Sequence, residues 1–315
     1  MTRPRIGLAL GSGSARGWAH IGVLRALIEA GIAPDIVCGT SIGALVGGAY
    51  VSGRLDALDD WARSISLFDI VGLMDVTLAR GGVISGTRLF KGLRSLQPDQ
   101  LIEDLPKPFA AVATDFASGR ELWLQKGSLL DAVRASASLP GIFPPVKMGG
   151  EWLVDGGLVN PVPVSVCRAL GAEVVIAVNL NGDITSRNVS QRFARRRQRV
   201  ARVREPDLLN KLSVRLREEF RGTASFLSSQ LLRPKQKGPG FFEVLAGTIY
   251  IMQDRITRSR MAGDPPDVMI APQLGHVRLL DFHRAEEAID EGYACVAPML
   301  SVIERAVATG SGVDA

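Results

Sequence analysis

A serine between two glycines is the first place where residue type and spacing in this chain could do chemistry. The stretch is Gly39-Thr40-Ser41-Ile42-Gly43, entered from the apolar Val37-Cys38 and left through Ala44-Leu45. A nucleophilic serine must stand clear of the backbone, and a sharp strand-to-helix turn with no side chains two residues to either side achieves this. The helix that follows aims its N-terminal N–H groups where negative charge develops on an acyl oxygen. Gly39 and Gly43 therefore predict a nucleophile elbow. Taken alone, the five residues suit a small-residue turn, where helix and strand merely pack closely, equally well.

Two further stretches could complete such a site. Gly11-Ser12-Gly13-Ser14-Ala15-Arg16-Gly17 follows the apolar run Ile6 to Leu10 and precedes Ile21, Leu24, Leu27 and Ile28 at helical spacing. Strand, glycine loop and helix in that order make an anion-binding geometry. A phosphate-binding P-loop requires Lys-Ser or Lys-Thr after the last glycine, where Trp18-Ala19 stands. A dinucleotide fingerprint wants glycine in place of Arg16 and an acidic residue near the end of the second strand, whereas Asp35 opens that strand. The remaining reading is an oxyanion hole, whose backbone N–H groups converge on an acyl oxygen near Ser41. Later, Trp152-Leu153-Val154-Asp155-Gly156-Gly157 delivers an aspartate from a strand end into a glycine turn.

A serine nucleophile needs a base, and two constellations stand open. One is a triad of Ser41, Asp155 and either His276 or His283, in the chain order of α/β-hydrolases. The other is a dyad of Ser41 and Asp155 without histidine. His20, beside the glycine loop, is a weaker candidate base. The three histidines are too scattered for a metal site, and Cys38, Cys167 and Cys295 form neither a Cys-x-x-Cys pair nor an even set for disulfides. A reducing, cytoplasmic compartment fits such cysteines.

The elements that must position these residues follow from the hydrophobic pattern. Ile6–Leu10, the run before Ser41, Phe109–Asp115, Glu121–Leu124 and Glu173–Asn179 read as strands. Helices are expected over Leu55–Ile65, Leu129–Ala137 and Pro163–Leu170, the second stopped by Pro140-Gly141. Alternating strands and helices predict an α/β fold with a mostly parallel sheet covered on both faces. The stretch through Gly81-Gly82 and Gly86 is irregular. Leu139-Pro-Gly-Ile142-Phe143-Pro-Pro-Val146 is apolar and stiffened by prolines, fitting either a packed connection or one wall of an acyl-chain site.

Composition bounds the rest. With 315 residues, 46% of them hydrophobic, the chain can bury a full core. Arg3 and Arg5 precede an apolar run too short for a signal-peptide core, and five glycines break the uncharged stretch Ile36 to Gly53 as a membrane span. Eight arginines and no acidic residue fall between Arg187 and Arg204, so the net charge of +5 is local to that segment. Val189, Phe193, Val200 and Val203 share one side of a helical wheel there, a pattern suited to an anionic membrane surface, although Arg196 interrupts it. Nucleic-acid binding is not expected, because no aromatic interleaving accompanies the charge. We expect one domain over residues 5–306: a catalytic core to about 180, a basic insertion over 182–240, and a closing part over 241–306. In that last part Phe241–Met261 reads as a helix, Asp267–Ala271 as a strand and Phe282–Ala306 as a helix.

Together, the Gly11–Gly17 loop, Gly39-Thr-Ser41-Ile-Gly43 and Asp155-Gly-Gly157 resemble the three signatures of the patatin-like phospholipases, in that order and at similar spacing. Trp18-Ala-His-Ile-Gly-Val-Leu24, Ala135-Ser-Ala-Ser-Leu-Pro-Gly141, Met261-Ala-Gly-Asp-Pro-Pro-Asp267 and Leu280-Asp-Phe-His-Arg-Ala285 are similar to the bacterial RssA-type branch, related to neuropathy target esterase. The resemblance implies a three-layer α/β/α fold, a Ser41–Asp155 dyad and an oxyanion hole from the Gly11–Gly17 loop. It also implies that no histidine is the base and that no metal or cofactor takes part. The implied substrate is a lipid or other acyl ester, attacked through a covalent acyl-enzyme, with Leu139, Ile142, Phe143 and Val146 as candidate acyl-chain contacts. An Asp with an ordinary carboxylate pKa is a poor base at neutral pH, so burial is expected to raise its proton affinity. The competing reading is a catalytically silent lipid-surface or regulatory module on the same fold. The expected location is cytoplasmic, with peripheral contact at the inner face of the membrane through Arg187–Arg204. Nothing in the sequence fixes an oligomeric state.

Overall fold

The structure is a computed structural model, and it describes residues 3–66, 69, 92–95, 99–183 and 241–310. The irregular stretch through Gly86 and the arginine-rich segment Arg187–Arg204 lie outside these residues.

Strands β1 (Ile6–Leu10), β2 (Ile36–Thr40), β3 (Phe109–Asp115) and β7 (Val174–Val178) are buried along their whole length. They carry apolar residues on both faces, as strands in the middle of a covered parallel sheet must. β1 pairs in parallel with β2 and β7, β2 with β3, and β7 with β8 (Val268–Ile270). Three further strands run antiparallel: β4 (Glu121–Leu124) on β3, β6 (Glu151–Asp155) on β3, and β5 (Val146–Met148) on β6. Gly149 and Gly150, at φ +58° and +90°, make the β5–β6 hairpin turn; two successive left-handed residues match the strand twist there.

Alternate residues of each central strand feed two cores. On one face Ile6, Leu8 and Leu10 of β1 pack with Val37, Phe109, Ala111, Ile176 and Val178. That face is covered by α1 (Ala19–Glu29), α2 (Ile42–Val51), α3 (Leu55–Ser64), α4 (Leu129–Ser136), α7 (Ala285–Ala294) and α8 (Leu300–Gly310). On the other face Ala9, Cys38, Ala110, Val112 and Val175 meet Val164, Val166 and Cys167 of α5 (Val164–Ala169). The long α6 (Phe241–Gly263) touches both cores, through Ile249 on one and Met261 on the other.

Two sequence expectations change. The single helix over Phe282–Ala306 is broken into a short turn at Phe282–Arg284, α7, a second short turn at Ala297–Met299, and α8. Pro298 is the reason: without an N–H it cannot continue the α-helical ladder, and it sits instead in the first turn of a new segment. Val146 does not belong to the proline-rich loop wall; it begins β5, opposite Leu153, and packs with the small cluster of Ala113, Ala135 and Leu153.

Register places the strand ends that matter. Ala111 and Val112 pair with both β2 and β4, and Ala113 and Thr114 pair with both β4 and β6. β2 and β6 must therefore lie along the same edge of β3. β2 stops at Thr40, opposite Val112, and β6 arrives from the other direction and stops at Asp155, opposite Ala113. The two strands meet end to end.

Helices α1 and α7 approach with backbone against backbone. A Cβ on Gly22 would lie 1.9 Å from Ile289 O, and one on Gly292 would lie 2.0 Å from Ala19 O. Gly22→Ala should therefore destabilise the protein by about 1–3 kcal/mol, the usual range for overpacking. Gly247→Ala, in open space on α6, should instead stabilise it by about 0.5–1 kcal/mol through helix propensity. Denaturant unfolding of the two variants beside the wild type measures both signs.

Candidate active site

Ser41 occupies the turn between β2 and α2 with φ 59° and ψ −122°, outside the regions that L-residues favour. Such a conformation costs about 1–3 kcal/mol and persists only where neighbours impose it. Here they do. A Cβ on Gly39 would lie 2.4 Å from Ala44 N, and one on Gly43 would lie 2.1 Å from Leu10 O, so the turn closes only without those side chains. The Ser41 N–H donates to Ser136 Oγ at 2.9 Å, and Thr40 Oγ1 donates to Asn160 O at 2.8 Å.

Asp155 ends β6 and caps the short turn Gly156–Leu158, its Oδ1 accepting from Gly157 N–H at 2.7 Å. Its Oδ2 accepts from Ser41 Oγ at 2.6 Å. The side chain is 1% exposed. Burial pushes the carboxyl up from its ordinary 3.8 to about 6, against the downward pull of the hydrogen bonds from Ser41 and Gly157. A serine hydroxyl is thus bonded to a carboxylate that is ionised at neutral pH yet basic enough to accept a proton.

The Gly11–Gly17 loop lies beside them, and most of its N–H groups are occupied. Gly11 N–H donates to Val178 O, Ser12 N–H to Pro161 O, Ala15 N–H to Leu279 O and Arg16 N–H to Gly13 O. The segment from Ser14 to Trp18 is a short 3-10 helix, with Gly17 pressed against Ile42. Among the described residues, the N–H groups of Gly13 and Ser14 have no acceptor, and both residues line the pocket that holds Ser41. Ser14 shares with Ser41 a positive φ, at 51°; no other non-glycine residue among those described has one.

Behind the loop sits Arg16, 0% exposed. Its guanidinium donates to Gly13 O, Leu180 O and Asn181 Oδ1 and lies 4.3 Å above the Tyr250 ring. No carboxylate among the described residues is within ion-pair distance of it. Carbonyl and amide oxygens and an aromatic face satisfy the charge instead.

The pocket encloses about 1140 Å³ of atom-free space, its open mouth included. Ser41, Asp155, Ser12, Gly13 and Ser14 form its polar floor, together with Gln253. Most of the remaining lining is apolar. Trp18 meets Trp61 and Phe282 edge to face at 6.1 and 6.0 Å, and Leu139, Ile142 and Phe143 contribute from the loop after α4. Of the four acyl-wall residues expected from the sequence, only Val146 is absent from the lining.

None of the three histidines touches Ser41 or Asp155 or lines the pocket. His20 is buried and donates from Nε2 to Gly11 O at 2.7 Å; burial lowers its pKa to about 4, so it is neutral and braces the loop. His276 bonds to Glu287, and His283 lies in the short turn before α7. The triad arrangement therefore has no geometric support. Among the described residues, no three His, Cys, Asp or Glu side chains are grouped as a metal site.

Sequence reasoning missed Ser136, Gln253 and the α6 wall. Tyr250, Gln253, Asp254 and Thr257 recur at helical spacing and bear polar groups turned inward, three of the four residues being buried. That polar stripe was the available signal.

The sequence model of the patatin-like phospholipases matches residues 8–168, which hold the glycine loop, Ser41 and Asp155. The chain belongs to this family, one of lipid hydrolases, and has its α/β fold. It is 34% identical to "Uncharacterized NTE family protein Rv1063c" of Mycobacterium tuberculosis, over 96% of this chain and 92% of that one. It is also 37% identical to "Patatin-like phospholipase domain-containing protein 7" of Rattus norvegicus, over 57% of this chain and 14% of that much longer protein. "Patatin-like phospholipase domain-containing protein ZK370.4" of Caenorhabditis elegans is 41% identical over 60% of this chain and 14% of its own length.

Burial of the Asp155 charge has a consequence for stability. Its folded pKa is above the unfolded value, so the native state binds the extra proton between about pH 3.8 and 6 and loses stability as pH rises through that window. Asp155→Asn should therefore be more stable than the wild type at pH 8, by about 1–3 kcal/mol, since one pKa unit corresponds to roughly 1.4 kcal/mol. The advantage should shrink towards zero at pH 4. Urea midpoints at the two pH values measure it, and an advantage independent of pH would contradict the buried-charge account.

Proposed function

We propose that the protein hydrolyses lipid acyl esters through a Ser41–Asp155 dyad. The observation that carries this is the 2.6 Å bond from Ser41 Oγ to a buried carboxylate at the floor of an apolar pocket. Ser41 Oγ attacks the ester carbonyl while Asp155 takes its proton. The oxygen that becomes negative faces the loop, where the free N–H groups of Gly13 and Ser14 are the donors available to it. Arg16 supports that role from behind. Its backbone N–H and its Nε both donate to Gly13 O, which directs the Ser14 N–H of the same trans peptide the opposite way. Collapse of the intermediate returns the proton from Asp155 to the leaving alcohol and leaves the acyl group on Ser41. Water, giving its proton to Asp155, then releases the acid.

The substrate's acyl chain suits the wall of Trp18, Leu139, Ile142, Phe143 and Phe282. A purely lipid-binding module would need neither a strained serine nor a buried carboxylate bonded to it, and for that reason we set the silent reading second. Three cysteines without disulfides favour a cytoplasmic setting. No helix among the described residues is long and apolar enough to cross a membrane. Attachment to an anionic surface through Arg187–Arg204 rests on sequence alone.

Ser41→Ala should abolish ester hydrolysis and labelling by a fluorophosphonate, with the fold unchanged. Asp155→Asn should lower kcat/KM by at least about 100-fold, the lower range for a lost acid–base group. His276→Ala and His283→Ala should stay near wild type. Because Asp155 must be ionised to act, wild-type kcat/KM should fall about tenfold per unit as pH drops below about 6. A folded histidine variant as inactive as Ser41→Ala would reject the dyad.

A further inference from the structure

Arg16 can only donate hydrogen bonds, and this constraint passes through two amides to the far side of the pocket floor. Its Nη2 donates to Asn181 Oδ1 at 2.9 Å, so Asn181 must present its NH2 group elsewhere. That group donates to Gln253 Oε1 at 3.1 Å. Flipping either amide would set donor against donor. Gln253, which lines the pocket, therefore has its oxygen committed to Asn181 and its NH2 left to donate elsewhere.

The Gln253 Nε2 group has no acceptor among the described residues, although the residue is only 4% exposed. It stands on the Asp155 side of the site. A methyl group built on Gly157 would lie 2.4 Å from Gln253 Nε2 and 2.9 Å from Asp155 Oδ1. The same point lies 3.2 Å from Ser12 Oγ, whereas the free N–H groups of Gly13 and Ser14 belong to the backbone of the loop. A buried amide donor without an acceptor forfeits a hydrogen bond unless a ligand provides one.

We propose that Gln253 is a further catalytic residue, donating an N–H to the oxygen that is exchanged at Asp155. That oxygen is the leaving-group oxygen during acylation and the water oxygen during deacylation. The proposal rests on the Ser41–Asp155 reading. In acylation the bond between acyl carbon and leaving oxygen breaks, and its electron pair stays on that oxygen, which takes the proton held by Asp155. The Gln253 N–H stabilises the charge until the proton arrives. In deacylation the water oxygen bonds to the acyl carbon and one water proton passes to Asp155. The acyl–Ser41 bond then breaks and Ser41 Oγ regains that proton. Gln253 holds the water by its second lone pair and exchanges no proton.

This role makes the effect of losing the donor depend on the leaving group. A p-nitrophenolate departs without help, whereas an alkoxide does not. Gln253→Met keeps a similar length and removes the N–H. On a p-nitrophenyl ester, we expect acylation at the wild-type rate and steady-state turnover reduced about 10- to 100-fold, the range for a hydrogen bond to a charged group. Acyl-Ser41 should accumulate, visible by intact mass. On an alkyl ester with the same acyl chain, acylation itself should slow by a similar factor. Fluorophosphonate labelling of Ser41, which expels fluoride, should be unchanged.

Equal losses on both esters together with slower labelling would mean that Gln253 only packs the site, and the proposal would fall. Unchanged kinetics on both would overturn it as well. If the wild type itself is not labelled at Ser41, the dyad reading fails and takes this proposal with it. Melting temperature reports whether the variant folds, and Gln253→Leu, which also lacks the N–H donors and adds no charge beside Asp155, carries the same expectations.

Discussion

The left-handed backbone of Ser41 is the constraint on which the rest of the site depends. A non-glycine residue at φ 59° is held there by contacts from several directions, and each contact ties a different element to the serine. Gly43 presses the start of α2 against the Leu10 carbonyl, the last residue of β1 before the glycine loop. Ser136, at the end of α4, accepts the Ser41 N–H, and Asn160, in the turn after β6, accepts the Thr40 hydroxyl. The spacing between serine, glycine loop and aspartate is therefore set by the same packing that sets the turn. It could not be loosened at one place and kept at another.

Meeting β6 end to end gives the serine its partner without a histidine. In the proposed dyad, burial raises the proton affinity of Asp155, and two hydrogen bonds keep it from becoming too weak an acid. Burial alone would drive the carboxyl higher; the donors at Ser41 and Gly157 oppose that drift. Arg16 shows the opposite solution for a cation. It is satisfied by carbonyls, an amide and a ring, so its charge persists behind the loop without a carboxylate to neutralise it.

What could be read in the sequence was whatever depends on local backbone geometry. The glycine loop, the elbow and the Asp-Gly-Gly turn need small residues at fixed offsets, so their residue types announce them. The central strands were legible because burial on both faces leaves continuous apolar runs. The antiparallel course of β6 was not, although it alone brings Asp155 to Ser41, because it depends on a hairpin whose partner strand is only three residues long. Val146 illustrates the same limit: an apolar residue after two prolines fits a pocket wall and a strand equally well until pairing with Leu153 decides. The far wall of the pocket comes from residues some two hundred positions after Ser41, and no local pattern connects such distant parts.

That distance has a consequence for how the chain is divided. The family match ends at residue 168, after both Ser41 and Asp155, yet Ile249, Tyr250, Gln253, Leu279, Leu280 and Phe282 all line the pocket. The chemistry proposed for Ser41 and Asp155 is therefore housed in the matched part, and much of the surface a substrate meets is housed beyond it. The two parts are coupled through buried polar contacts as well as apolar packing. Asn181 joins Arg16 of the loop to Gln253 of α6, and Ser14 donates to the Leu279 carbonyl. The later segment that walls the pocket is thus hydrogen-bonded to the same loop that carries the free N–H groups of Gly13 and Ser14.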